Sequence, residues 1–163
     1  LKVKTLIELA NDAVADGNSV AIFLEFLETI HAVTEGLSEH QPLVLTGEND
    51  DPAFREAARV AFQENIRSVI ILQSRVGGVG LSLHDLKGKP RVSFISPSYS
   101  ATTFKQVLGR IRRAGGLSPA IQNIVYVPQS VEARVIRAVK NKMNNLDLLW
   151  DGDLSYFNEN KNG

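Results

Sequence analysis

The chain has 163 residues, 44% of them apolar, with 18 Lys/Arg against 18 Asp/Glu, which suits one globular domain with a sizeable core. It has no cysteine, which excludes a disulfide framework and a thiolate metal site. Its three histidines, His31, His40 and His84, form no H-x-x-x-H pair, so no metal ligands are expected.

The neutral total hides a division. Residues 1–65 carry twelve Asp/Glu and four Lys/Arg, whereas residues 66–163 carry six and fourteen. That asymmetry points to a positive surface for polyanions. The best apolar run, residues 19–27, is short and contains Glu25, so no membrane span is expected, and nothing near Leu1 resembles a signal peptide. From the start at Leu1 and the single Met143 the chain is expected to be a piece of a longer polypeptide. The lack of cysteine fits an intracellular, reducing compartment.

In chain order, a leading helix is predicted over 3–15, ending at Gly17, with residues 1–17 serving as the link from a preceding domain. A strand follows over 19–25 (SVAIFLE), then a helix over 26–36 and a short strand over 43–46 (LVLT). Asp51 before Pro52 is an N-cap ahead of a proline at the first helical position, opening a helix over 52–64. The third strand is expected over 68–73 (SVIILQ). Lys87-Gly88-Lys89-Pro90 is a turn, leading to a fourth strand over 91–96. Ser100 caps a helix over 101–113 that Gly115-Gly116 ends. A fifth strand over 122–127 and a helix from Val131 to about Asn144 complete residues 18–150, and 151–163 form a polar tail. Near-continuous apolar strands alternating with helices indicate an α/β, doubly wound, mainly parallel sheet.

Two segments carry chemistry. Gln106–Arg113 reads Q-x-x-G-R-x-x-R. On a helix, at about 100° per residue, Gln106, Arg110 and Arg113 share one stripe, with Phe104, Val107, Leu108 and Ile111 toward the core. Planar guanidinium forks suit phosphate oxygens. Gly109 costs about 1 kcal/mol relative to Ala in mid-helix, which is understandable if something approaches closely there. The plain alternative is a solvated basic face.

The other segment is Ser74-Arg75-Val76-Gly77-Gly78-Val79-Gly80-Leu81-Ser82-Leu83, directly after the third strand, where doubly wound sheets bind ligands. Its glycines allow positive φ and a backbone nest for anions, or simply a tight connection. A dinucleotide fingerprint fails because residue 83 is Leu. The P-loop pattern is absent, since Gly88-Lys89 is followed by Pro90. Arg75, Lys87, Lys89 and Arg91 form either a basic strip or ordinary surface charge. Phe23 and Phe26 are expected in the core rather than as base-stacking platforms.

In this order the segments resemble the motifs of the second, carboxyl-terminal RecA-like domain of superfamily 2 helicases and translocases. The chromatin-remodeller-like and phage or viral branches are the most similar. Residues 19–26 resemble motif IV; Thr46-Gly47, Arg55 and Phe62 the stretch after it; Ser74–Leu83 motif V; Gln106–Arg113 motif VI. The resemblance implies a P-loop NTPase fold without its own P-loop. It implies ATP with Mg²⁺ held by a missing N-terminal RecA-like domain of the same polypeptide.

Arg110 and Arg113 would then be arginine fingers toward the γ-phosphate, with Gln106 beside them and Gly80 and Ser82 near the nucleotide. Ser74, Gly77, Gly78, Thr46 and Gly47 would touch the nucleic-acid backbone, DNA being favoured over RNA by the form of motif V. Lacking a Walker loop and a D-E-x-x strand end, the 163 residues alone are expected not to hydrolyse ATP. Two other readings stay open: a binding module that kept the fold without catalysis, and an unrelated α/β enzyme using the GGVG turn as its nucleotide site.

Overall fold

A computed structural model describes residues 2–49, 51–77, 81–97, 100–111, 116–128 and 130–147. Helix α1 (Lys2–Ala15) is followed by strand β1 (Ser19–Leu24), helix α2 (Leu27–Gly36), strand β2 (Leu43–Leu45), helix α3 (Pro52–Gln63) and strand β3 (Val69–Gln73). A single-turn helix α4 (Ser74–Gly77) then precedes strand β4 (Arg91–Ile95), helix α5 (Ala101–Leu108), strand β5 (Ala120–Ile124) and helix α6 (Val131–Asp147).

The five strands form one sheet in the order β2-β3-β1-β4-β5, and every pairing is parallel. The expected doubly wound α/β class is the observed one. Burial explains the composition of the strands: every residue of β1 and β4 is buried, whereas edge strands β2 and β5, Leu45 apart, are partly exposed. Two apolar layers flank the sheet. On one face Leu6 and Ala10 of α1 and Ile30 and Val33 of α2 pack over Val20, Ile22, Val69 and Ile71. On the other, Ala58 and Phe62 of α3, Phe104 and Val107 of α5, and Val135 and Val139 of α6 pack over Ala21, Phe23, Ile70 and Leu72. Each fully buried aliphatic or aromatic side chain contributes about 1.5–3 kcal/mol. Lys2 ties α1 to the far side, donating to Ser96 Oγ at 2.7 Å and pairing with Glu132.

The caps act as their residue types require. Asp51 accepts from the Phe54 N–H at 2.9 Å with Pro52 in the first turn, and Ser100 accepts from the Thr103 N–H at 3.2 Å. Gly17 and Gly88 adopt φ values of 86° and 84°, closing α1 and the Lys87–Pro90 turn.

Two elements depart from expectation. Helix α5 stops at Leu108 rather than Arg113, because neighbouring strands and loops take its last acceptors. Gln122 Nε2 donates to the Leu108 carbonyl at 2.6 Å, and the Leu83 N–H donates to the Arg110 carbonyl at 2.9 Å. The Arg110 N–H bonds back to Val107 at 3.1 Å, tightening the final turn. Strand β5 begins at Ala120, two residues early, since its pairing runs with β4 from Arg91↔Ala120 to Ile95↔Ile124.

Candidate nucleotide and nucleic-acid interface

Parallel strands bring all their carboxyl ends to one edge of the sheet. From central β1, α2 leaves on one face, while α4 and α5, which follow neighbours β3 and β4, pack on the other. In doubly wound sheets ligands bind where helices diverge in this way. Gln73, the last residue of β3, ties that edge together. Its Oε1 accepts from the Gly47 N–H at 3.0 Å, and its Nε2 donates to the Glu25 carbonyl at 3.3 Å.

Thr46 is buried and Gly47 exposed. The Thr46 N–H donates to Asn49 Oδ1 at 2.8 Å, while its hydroxyl accepts from the Glu48 N–H at 3.3 Å. Ser74 opens α4 and is only 1% exposed; its hydroxyl has no hydrogen-bond partner among the described residues. Gly77 ends α4. Arg55 Nη2 donates to the Val76 carbonyl at 3.2 Å, holding that turn against α3. Arg75, between them, is exposed, a residue the sequence offered for a basic strip and not for a motif role. Gly78 and Gly80 lie outside the described residues, as does Arg113.

Past the glycines, Leu81 and Leu83 are buried and Ser82, between them, is partly exposed. Gln106 is exposed near the end of α5, and Arg110 is half-buried in the turn that follows. The two segments meet there. Arg110 Nη1 donates to the Leu81 carbonyl at 3.3 Å while the Arg110 carbonyl accepts from Leu83. The structure therefore brings together Arg110, Ser82 and, one turn away, Gln106. Thr46, Gly47, Ser74 and Gly77 gather around the ends of β2 and β3. A Cβ built on Gly109 would meet only the Gln106 and Lys105 carbonyls at 3.6 and 3.9 Å, so no described neighbour requires glycine there.

The basic strip does not form. Arg91 is only 1% exposed, Lys87 pairs with Glu64 at 3.0 Å, and Lys89 donates to Ser68 Oγ at 2.9 Å. Alternation along β4 turns Arg91 inward, where its guanidinium lies 4.7 Å from the Phe62 ring centroid. Burial pulls the Arg91 pKa down and the Asp85 charge offsets part of that. For buried Asp85, burial pushes the carboxyl up. The Ser118 hydroxyl, the Lys87 and Lys89 N–H groups and the Arg91 charge outweigh it, holding the group below the ordinary carboxylate range. Phe23 is in the core as expected. Phe26 is not: it precedes α2 in extended conformation and is 64% exposed, because the chain has already left the sheet.

A parallel sheet in this order, with the 81–83 segment after β3 meeting the Q-x-x-G-R-x-x-R segment after β4, is the arrangement expected of the carboxyl-terminal RecA-like domain that the motifs resemble. The fold is that of carboxyl-terminal RecA-like helicase domains, and the sequence is related to part of one protein that carries a helicase name. It is 35% identical over 155 residues to a protein of Acanthamoeba polyphaga mimivirus that bears the provisional name of an ATP-dependent RNA helicase. That match covers 94% of this chain but only 28% of the relative. Among solved structures, the C-terminal part of the Fun30 ATPase domain superposes with a TM-score of 0.73 at 23% identity, covering 94% of this chain and 50% of that one. The C-terminal domain of the DEAD-box protein Dbp5 gives 0.62 at 19% identity, covering 88% and 79%. No protein-family model matches the chain. Among the described residues, no helix is long and apolar enough to cross a membrane.

Proposed function

We propose that this chain is the second motor lobe of an ATP-dependent superfamily 2 helicase or translocase. Its N-terminal RecA-like lobe, in the same polypeptide, holds ATP and Mg²⁺. The observation that supports it best is the mutual contact of Arg110 with the 81–83 segment. A half-buried guanidinium whose direction is set by the Leu81 carbonyl can meet the charge of a triphosphate held elsewhere, and it does so only when the two lobes close.

In this reading Arg110 and Arg113 reach the γ-phosphate, Gln106 lies beside them, and Gly80 and Ser82 border the nucleotide. The bound triphosphate supplies the cleavable phosphoanhydride. This chain's residues supply positive charge and orientation. Thr46, Gly47, Ser74, Gly77 and Gly78 face the nucleic-acid backbone, with Arg75 beside them as an exposed cation. Backbone contact gives affinity without sequence reading. The leaning to DNA drawn from motif V gains nothing from the mimivirus relative, whose name is that of an RNA helicase. Contact with phosphodiester, common to both polymers, is the reading put forward. A viral or phage source accords with that relative.

The test compares the full-length protein with the isolated 163 residues. Nucleic-acid-stimulated ATP hydrolysis is expected from the full-length protein and none from the chain alone. Stimulated turnover by the chain alone overturns the division of labour. Lack of hydrolysis by the full-length protein favours the non-catalytic binding module.

A further inference from the structure

The Arg91 guanidinium makes four hydrogen bonds in the interior. Nε donates to the Leu83 carbonyl at 3.3 Å, and Nη1 to Asn65 Oδ1 at 2.7 Å. Nη2 donates to the Phe62 and Gln63 carbonyls at 3.3 and 3.4 Å. The fork stacks on Phe62, itself fully buried. A buried charge is costly unless its donors are satisfied, and shape alone would be served by an apolar residue. What Arg91 adds is a connection. It grips Leu83 by the carbonyl, Leu83 donates its N–H to the Arg110 carbonyl, and Arg110 reaches back to Leu81. One residue, Leu83, separates the buried arginine from the half-buried one.

We infer that Arg91 is a positioning residue, holding the 81–83 segment in the place from which it fixes Arg110. The inference rests on the proposed role of Arg110 for its functional consequence, but the positioning itself stands on the four bonds. It also explains an arginine on a central strand, where an aliphatic residue would fill the space. Lysine could not replace it, because one ammonium cannot span acceptors on Leu83, Asn65 and the end of α3 together.

The experiment uses the full-length protein with Arg91→Lys, Arg91→Met, Arg110→Ala and the double variants. Hydrogen exchange of peptides covering 81–86 is expected to speed up in both Arg91 variants, while peptides from β1 and β3 keep their protection. kcat for ATP hydrolysis is expected to fall about ten- to a hundredfold with little change in KM, the scale set by a misplaced catalytic group. In the Arg110→Ala background, Arg91→Lys should cost nothing more, since it acts through Arg110.

If Arg91→Met fails to fold, Arg91→Lys, which keeps the charge, carries the same measurements. Unchanged exchange over 81–86, or a kcat loss that simply adds to that of Arg110→Ala, overturns the inference. Faster exchange over 81–86 with full activity in Arg110→Ala overturns the finger reading alone and leaves the positioning standing.

Discussion

Arg110 and Leu81 are joined by a side chain-to-backbone bond of 3.3 Å, which ties the arginine-bearing turn to the segment that follows the glycines. The reverse bond, Leu83 N–H to the Arg110 carbonyl at 2.9 Å, makes the contact reciprocal. Each turn alone is a short connection. Together they make a surface whose charge is fixed in direction, which is what electrostatic stabilisation of a transferring phosphoryl group demands.

Gly109 lies in ordinary helical backbone with φ of −80°, and an added Cβ meets nothing closer than 3.6 Å. Gly109→Ala should therefore leave thermal stability unchanged or raise it, by about 0.4–1 kcal/mol, through loss of unfolded-state freedom. If the partner lobe closes onto this turn, hydrolysis by the full-length protein should drop about tenfold or more. A melting scan beside a steady-state assay checks both. Full activity in a stabilised variant would show that no close approach occurs at residue 109.

Ser74 has a buried hydroxyl with no partner among the described residues. Removing a polar atom that makes no bond does not destabilise, so Ser74→Ala should keep or gain about 1 kcal/mol. If the hydroxyl meets a phosphate when nucleic acid binds, affinity should weaken roughly fivefold, the equivalent of one ordinary hydrogen bond. Denaturant melts and a binding titration at fixed salt separate the effects. Lower stability with unchanged affinity would mean that the hydroxyl serves the fold.

Asp85 holds its proton less tightly in the folded chain than a free carboxyl does. The folded-state pKa is thus below the unfolded value of about 3.9, and the sign follows. The stabilisation is fully present above that unfolded value and is lost as pH falls through the folded one. Asp85→Asn should be less stable than the parent at neutral pH, and the gap should narrow as the medium is acidified below about pH 4. Melting temperatures of both proteins from neutral to acid pH measure it. A gap that widens on acidification contradicts the assignment.

The fold was legible because buried parallel strands write themselves as apolar runs, and Asp51-Pro52 and Ser100 mark helix starts with local chemistry. What escaped depended on tertiary partners. The 3.6-residue period carried helix α5 on to Arg113, but Gln122 and Leu83, distant in sequence, took the carbonyls that would have continued it. Arg91 looked like surface charge because a charged residue at the head of a strand usually is. Only the position of Asn65 and the end of α3 shows what its fork binds. Phe26 looked like core because residues 19–27 read as one run, yet α2 starts at Leu27 and leaves Phe26 outside. Arg110 stands beside Ser82 through its bonds to Leu81 and Leu83, a proximity that neither segment shows by its own spacing.

The most direct measurement is the ATPase activity of the full-length protein with Arg110→Ala. We expect kcat to fall by about 10³-fold or more, the scale of an arginine supplied across a cleft, with nucleic-acid affinity nearly unchanged. Intact hydrolysis accompanied by lost nucleic-acid binding would contradict the account and make Arg110 a ligand of the phosphodiester backbone.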